Sequence, residues 1–199
     1  MGTMLTKEQL LRPLAQLRRA AVVVTCMSVT RPWGRYSSSE LDFASADSAM
    51  GHTADLALGI ALAQPQRKVI CLNGDGSMLM TLGTLATVVN ARPSNFVLFV
   101  VQNNSYELTG HQPIPAAEHL DFAQLARGAG FEHVYDFEDP DDYEKRLTAV
   151  LAEEGPVFVT VRVEKGAEGP ISRSAKELSP YLQVSLAESA HRLRKILTS

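Results

Sequence analysis

Two short polar segments carry the residue types best suited to chemistry. Gly74-Asp75-Gly76-Ser77 follows the apolar run 68–73, and Asn103-Asn104 follows the apolar run 95–102. Glycines let a backbone turn tightly and approach a ligand closely. A helix that begins at such a turn points free N–H groups at an anion such as a phosphate. Asp75 would repel that anion, so the pattern predicts a cation between them, and an oxygen-rich site with a diphosphate favours Mg²⁺.

The two segments are expected to meet at one edge of a parallel sheet. The carboxyl ends of parallel strands lie on the same edge, so Asp75 and Asn104 converge on one metal ion. A carboxylate, an amide oxygen, a backbone carbonyl, diphosphate oxygens and a water complete the octahedral set that Mg²⁺ prefers. Each segment alone is common in loops, and the prediction depends on the combination of both with their strands and helix.

Alternating strand and helix patterns predict an α/β fold, a doubly wound parallel sheet with helices on both faces. Predicted strands lie at 20–27, 68–73, 95–102, 133–137 and 156–163. Predicted helices lie at 7–19, 52–64, 77–90, 121–130, 139–154 and 180–197. Loops are predicted at 28–45 and 165–178. One domain is expected over 1–199, with its core at about 20–165 and a loop and C-terminal helix at 166–199.

Composition excludes several partner classes. The 199 residues carry a net charge of −3 and no basic stripe, so nucleic acid is not an expected partner. No apolar run approaches the roughly 20 residues of a membrane span, and the first 20 residues lack a signal-peptide pattern. A cytoplasmic protein without a membrane partner is expected. Cys26 and Cys71 lie in apolar runs and are expected to be buried thiols.

Residues 58–77 resemble the signature of thiamine-diphosphate enzymes. The matching features are an apolar residue before Gly59, then Pro65, apolar strand positions at Ile70 and Leu72, and the GDGS turn. Asn103-Asn104 stands at the distance from Asp75 that is usual in the family. The resemblance covers about 45–115, and loosely extends to 165. It implies the diphosphate-binding domain of such an enzyme, with thiamine diphosphate and Mg²⁺ as cofactors.

The resemblance implies roles for individual positions. The metal ligands would be the side chains of Asp75 and Asn104 and the carbonyl of Tyr106. Further cofactor-binding positions would be Ser48 (carbonyl to the 4′-amino group), Met50 (the apolar wedge that bends the cofactor), Gly51, Gly74, and the amide donors Gly76 and Ser77. An ordinary core methionine is the alternative for Met50. Thr84 stands where the family often has Glu, so the resemblance does not predict which contact this helix residue makes.

No catalytic residue is assigned within this chain. In the family, a Glu on a pyrimidine-binding domain activates the cofactor. About 45 residues precede Ser48, too few for a second α/β domain. Glu8 is interpreted as a solvated helix residue and Glu40 as a loop residue. The activating Glu is therefore expected on a partner chain with a pyrimidine-type (PYR) domain, in a hetero-oligomer, or in a second copy through self-association.

Three stretches narrow the resemblance further. The patterns MGH…LGIAL, LGTLAT and NNSYELTGHQP resemble the sulfopyruvate decarboxylase β subunit and the C-terminal half of phosphonopyruvate decarboxylase. This implies non-oxidative decarboxylation of a small 2-oxo acid to an aldehyde. Two alternatives stay open: a carboligase of acetolactate-synthase type and a non-catalytic thiamine-diphosphate-binding subunit. A dinucleotide-binding domain is disfavoured because no G-x-G-x-x-G follows a strand.

Three further residues have two interpretations each. Arg31 and Arg35 are local candidates to hold a second acidic group of the substrate, and a solvated pair of loop residues is the alternative. His111 stands where the related motif usually has Gly. It either touches substrate or stabilises a turn.

Overall fold

A six-stranded sheet organises the chain, and the computed structural model describes residues 4–46 and 50–198. Its strand order is β2-β1-β3-β4-β8-β7, and every pair is parallel. The strands are β1 Val22–Cys26, β2 Asp42–Ala46, β3 Val69–Gly74, β4 Phe96–Gln102, β7 His133–Phe137 and β8 Val157–Arg162. A separate two-stranded hairpin joins β5 Ser105–Tyr106 to β6 Gln112–Pro113.

Helices cover both faces of this sheet, as the sequence predicts. The α-helices are α1 Lys7–Leu17, α2 Met27–Trp33, α3 Thr53–Ala63, α4 Asp75–Met80, α5 Thr84–Ala91, α6 Phe122–Ala129, α7 Pro140–Ala152 and α8 Leu186–Leu197. One core cluster packs α1, α2 and α7 against the sheet, and a second packs α3 to α6 and α8 against its other face. The doubly wound α/β class is confirmed.

Local sequence explains where these elements begin. β3 and β4 are apolar and buried along most of their length, which suits central strands covered on both faces. Thr6 and Gln9 form a capping box at the start of α1. Asp121, Asp139 and Ser185 each accept a backbone N–H at the start of α6, α7 and α8. The predicted and observed starts of α1, α6 and α7 therefore differ by at most one residue.

Three predictions about secondary structure are wrong. The segment 28–45 is not a loop, because α2 and the edge strand β2 lie within it. The edge strand β2 is only five residues long and lacks a continuous apolar pattern. The predicted helix 77–90 is two helices, α4 and α5, separated around Gly83. The predicted helix 180–197 begins only at Leu186, after a short 3₁₀ turn at Pro180–Leu182.

The strand order reverses direction between β1 and β3. The chain passes from β1 outward to β2, and then returns to the other side of β1 to form β3. Ligands of open α/β sheets bind beyond the carboxyl ends of the strands at such a point. Among the described residues, no helix combines the length and apolarity needed to cross a bilayer. The assignment of 1–199 to one domain stays a prediction.

Candidate functional site

A cleft opens at the carboxyl ends of β1, β3 and β4. Its walls come from the end of β1 and the residues that follow, from the Gly74–Ser77 turn after β3, from the segment after β4, and from Met50. The lining residues are Cys26, Met27, Ser28, Met50, Gly74, Asp75, Gly76, Ser77, Ser105, Tyr106, Glu107, Leu108 and Thr109. The cleft lies where the strand order reverses. The structure thus brings the GDGS turn and the Asn pair to one edge, as predicted, although the cleft lining after β4 begins at Ser105.

Asp75 is the best-defined polar group at this edge. The residue is 2% exposed, and its carboxylate accepts three backbone hydrogen bonds. Oδ1 accepts from the Gly76 amide at 2.7 Å, and Oδ2 accepts from the amides of Asn103 and Asn104 at 3.0 and 2.6 Å. Burial raises the pKa of Asp75 to about 6, and these amides counteract the rise because they favour the ionised form.

The two asparagines after β4 have different surroundings. The Asn103 carboxamide is used at both ends, since Oδ1 accepts from the Ser105 amide at 3.0 Å and Nδ2 donates to Glu107 at 2.7 Å. Asn104 Oδ1 accepts one hydrogen bond, from Gln102 Nε2 at 3.0 Å. A carboxamide oxygen has two lone pairs, so Asn104 retains capacity to bind a cation. Its φ of 56° is left-handed, a conformation that Asn tolerates.

The predicted carbonyl ligand, Tyr106, already has partners. Its oxygen accepts from the His111 amide at 3.1 Å and from Thr109 Oγ1 at 3.3 Å. Metal binding there would have to replace or share these bonds. The Tyr106 ring closes against the GDGS turn, because a Cβ added to Gly76 would lie 2.4 Å from a ring carbon. Gly76 is therefore needed for this close approach.

Glycine is expected in the GDGS turn because it lets the backbone turn tightly, but the two glycines have other roles. Neither Gly74 nor Gly76 is among the glycines with positive φ, so the turn does not depend on a left-handed conformation. Gly74 has a φ of −87°, and a Cβ added there would meet no atom within 4 Å. Gly74 therefore borders open space in the cleft, while Gly76 allows close packing.

Gly51 and Ser77 connect the segment before α3 to the GDGS turn. Ser77 Oγ accepts from the Gly51 amide at 3.0 Å, and Thr81 Oγ1 donates to the Gly51 carbonyl. Gly51 has a φ of 94°, which favours glycine. Met50 precedes it and lines the cleft, as the wedge hypothesis requires. Ser48 lies outside the described residues.

Other residues from the sequence analysis have structural partners. Thr84 Oγ1 donates to Asp55, which joins α5 to α3. His111 is exposed and left-handed, and its amide completes the hairpin turn, as the turn interpretation expects. Cys26 and Cys71 are fully buried, and burial raises the pKa of both thiols. Cys26 also forms part of the cleft wall.

The arginines proposed for substrate recognition are paired with glutamates. Arg31 binds Glu177 through Nε at 2.9 Å and a terminal nitrogen at 2.8 Å, and this pairing lowers the pKa of Glu177 to about 2. Arg35 binds Glu168 at 2.8 Å. Neither residue lines the cleft. Both instead connect α2 and its following turn to the segment 165–178.

Sequence reasoning missed the most connected polar residue beside the cleft. The Glu107 side chain is fully buried and forms an ion pair with Lys7, at 2.7 Å between Oε1 and Nζ. The two residues are 100 positions apart, so no local pattern signals the pair. The single hint in the sequence is a charged residue directly after Tyr106, close behind the buried strand β4.

The donor set fits a hard cation beside a diphosphate. The described residues contain no cluster of three or more His, Cys, Asp or Glu side chains able to hold a metal. Asp75 supplies one buried carboxylate, and amide and carbonyl oxygens lie in the adjoining turn. Mg²⁺ typically binds through one or two carboxylates and substrate phosphates, not a complete protein cage. The arrangement therefore suits a phosphate-bridged Mg²⁺.

Comparison with known proteins identifies the family. Residues 24–161 match the family model described as "Thiamine pyrophosphate enzyme, C-terminal TPP binding domain". The chain belongs to this family. The matched range includes the carboxyl end of β1, the GDGS turn and the Asn pair, and thus all residues that line the cleft; Lys7 lies outside it.

Two curated relatives of this thiamine pyrophosphate-binding chain are decarboxylases. Phosphonopyruvate decarboxylase of Streptomyces viridochromogenes is 34% identical over 94% of the chain and 45% of its own length. Sulfopyruvate decarboxylase subunit beta of Methanothermobacter thermautotrophicus is 38% identical over 62% of the chain and 63% of its own length. The chain thus spans less than two thirds of either relative.

A solved structure supports the fold. The thiamine diphosphate-dependent 4-hydroxybenzoylformate decarboxylase of Rhodococcus jostii RHA1 superposes with a TM-score of 0.68. The superposition covers 84% of the chain and 34% of that protein, at 22% identity. At this identity the likeness concerns the fold alone.

Proposed function

We propose that this chain is the cofactor-binding subunit of a thiamine-diphosphate-dependent 2-oxo acid decarboxylase of the sulfopyruvate or phosphonopyruvate type. The observation that carries the proposal is the buried Asp75 carboxylate, held by three backbone amides at the cleft where the strand order reverses. The likeness to two such decarboxylases supports decarboxylation as the reaction class. We infer that CO₂ is lost without oxidation and that an aldehyde is released.

In this proposal Asp75, Asn104 and the Tyr106 carbonyl would hold Mg²⁺. The amides of Gly76 and Ser77 would hold the diphosphate of the cofactor, and Gly74 leaves open space beside them. When bound, thiamine diphosphate supplies the electron sink for decarboxylation. The chain's own contribution is to position the cofactor. Asp75 fixes the cation, and Met50 and Cys26 provide apolar wall beside it.

A second polypeptide completes the site in this proposal. The relatives named beta subunits support assembly into a hetero-oligomer. We infer that the partner carries a PYR-type domain and the Glu that activates the cofactor. Arg31 and Arg35 receive no substrate role, because their guanidinium groups bind Glu177 and Glu168. Recognition of any second acidic group on the substrate therefore falls to other residues.

Calorimetric titration of thiamine diphosphate with Mg²⁺ tests the proposal, with the chain alone and with a co-expressed PYR-type subunit. Binding that requires Mg²⁺, together with CO₂ release from a 2-oxo acid, is the expected result. Product analysis with added acceptor aldehyde separates a decarboxylase from a carboligase. Binding without turnover in any combination would instead identify a non-catalytic subunit. Absence of binding in both forms would contradict the whole proposal.

A further inference from the structure

Glu107 collects an unusual number of hydrogen bonds for one carboxylate. Its side chain is fully buried, and both oxygens bind Lys7 Nζ, at 2.7 and 2.8 Å. Asn103 Nδ2 donates to Oε2 at 2.7 Å. The amides of Gly166 and Glu168 donate to the same carboxylate at 3.3 and 3.1 Å. The charge is thus fully paired and solvated by protein groups.

The same cluster reaches the other side of the cleft through Lys7. Its ammonium also donates to the carbonyl of Ser28 at 3.1 Å, and Ser28 lines the cleft. Packing around the pair is close, since a Cβ added to Gly166 would lie 2.6 Å from both Glu107 Oε1 and Lys7 Nζ. A side chain at position 166 would therefore displace the charged ends of Lys7 and Glu107.

Four segments meet at this ion pair. They are the start of α1, the residues after β1, the turn after β4 and the segment after β8. Buried polar groups that are fully satisfied make a network rigid, whereas removal of one charge leaves its partner unpaired at high cost. The network reaches Asn103, whose backbone amide donates to the Asp75 carboxylate.

We propose that Lys7 and Glu107 are positioning residues for the cofactor site. The pair fixes the turn from Asn103 to Tyr106 against the residues after β1. It thereby sets the place of the amides that hold Asp75 and of the oxygens offered to the cation. This inference rests on the proposed function and adds to it a determinant outside the family-matched residues, because Lys7 precedes residue 24.

A second buried ion pair provides a matched control. Arg18 and Asp42 lie 2.6 Å apart with side chains 5% and 2% exposed, so their burial and geometry resemble those of Lys7 and Glu107. Asp42 begins β2 and Arg18 follows α1, which places this pair at the amino ends of the strands, away from the cleft. Loss of either pair should destabilise the fold, but only the first should affect cofactor binding.

The experiment measures Mg²⁺ affinity by calorimetry at a fixed excess of thiamine diphosphate, in the wild-type assembly that binds the cofactor. We expect Glu107→Gln and Lys7→Met to weaken Mg²⁺ binding about 10- to 100-fold, the usual effect of removing a group that orients a metal ligand. Asp42→Asn should leave that affinity within about twofold. Thermal unfolding without cofactor reports the stability of each variant separately.

The double variant Lys7→Met with Glu107→Gln keeps the test decisive if a single variant does not fold. It leaves no unpaired buried charge and keeps one side-chain oxygen to accept from Asn103 and the amides of Gly166 and Glu168, and it should still bind Mg²⁺ weakly. Wild-type affinity in the variants that fold would overturn the positioning role and leave the proposed function intact. Failure of the wild-type assembly itself to bind Mg²⁺ and thiamine diphosphate would overturn both.

Discussion

The two ends of α1 offer a direct comparison within one molecule. Lys7 begins the helix and pairs with Glu107 at the carboxyl edge of the sheet, whereas Arg18 follows the helix and pairs with Asp42 at the amino edge. Both pairs are short and buried. The partners of the amino-edge pair include the Ser37 hydroxyl, the Ala21 carbonyl and the Trp33 side chain, none of which lines the cleft.

The carboxyl-edge pair instead connects segments that border the cleft. Its partners include Asn103 and the Ser28 carbonyl, and through Asn103 it is two hydrogen bonds from Asp75. The two pairs are alike in length and burial, so these properties do not separate a structural role from a functional one. The two pairs differ in position, because the Lys7–Glu107 pair lies at the sheet edge where the strand order reverses and the cleft opens.

The largest expected effect tests whether the carboxyl edge holds the cation. Asp75→Ala should lower Mg²⁺-dependent thiamine diphosphate affinity by at least about 100-fold, because the diphosphate loses its bridging charge and three backbone amides lose their acceptor. Calorimetric titration checks this, with Asp42→Asn as the buried-carboxylate control. An unchanged affinity would refute the metal assignment.

The amino edge should show the opposite pattern. Arg18→Met leaves the buried Asp42 carboxylate without its counterion, and we expect a loss of about 3 kcal/mol in the free energy of unfolding. Urea denaturation gives this value. Cofactor affinity of the folded variant should match that of the wild type, and a parallel loss of affinity would end the distinction between the two edges.

Titration of Asp75 should make the cofactor-free chain less stable at high pH. Its folded pKa, about 6, lies above the ordinary value near 3.8, so its contribution to stability is present below pH 4 and is lost as the pH rises through 6. Between pH 4 and pH 8 this amounts to about 2 kcal/mol. Urea denaturation across this range should show a correspondingly smaller pH dependence in Asp75→Asn. Identical pH profiles would show that Asp75 is not the group responsible.

The smallest effects concern two strained residues, one at each edge. Met27, with a φ of 40°, lines the cleft, and Arg19, with a φ of 50°, follows α1 at the amino edge. Replacement of either by glycine should relieve left-handed strain and raise stability by about 0.5 to 1 kcal/mol. Thermal unfolding measures this gain.

The two glycine variants should differ in activity. Met27→Gly removes part of the cleft wall and should lower turnover of the 2-oxo acid, whereas Arg19→Gly should leave turnover unchanged. Steady-state assays of the complete assembly check this difference. Equal turnover in both variants would mean that Met27 has no role beyond packing.

Local sequence was sufficient for the central part of the fold. The apolar runs that became β3 and β4 are long and bounded by polar turns, so burial on both faces leaves few other arrangements. The edge strand β2 and the short helix α2 were missed because neither has a continuous apolar pattern, and their burial depends on neighbours such as Arg18. Short elements owe their structure to tertiary packing more than to propensity.

The same division applies to the site. The sequence by itself determined that Asp75 follows a buried strand and that Asn104 follows the next, and parallel strands then bring both to one edge. Only the tertiary structure decided that Arg31 and Arg35 bind glutamates, and that Lys7 reaches Glu107 across 100 residues. Hydrogen bonds and ion pairs between distant segments depend on the folded backbone, which local patterns of polarity do not specify.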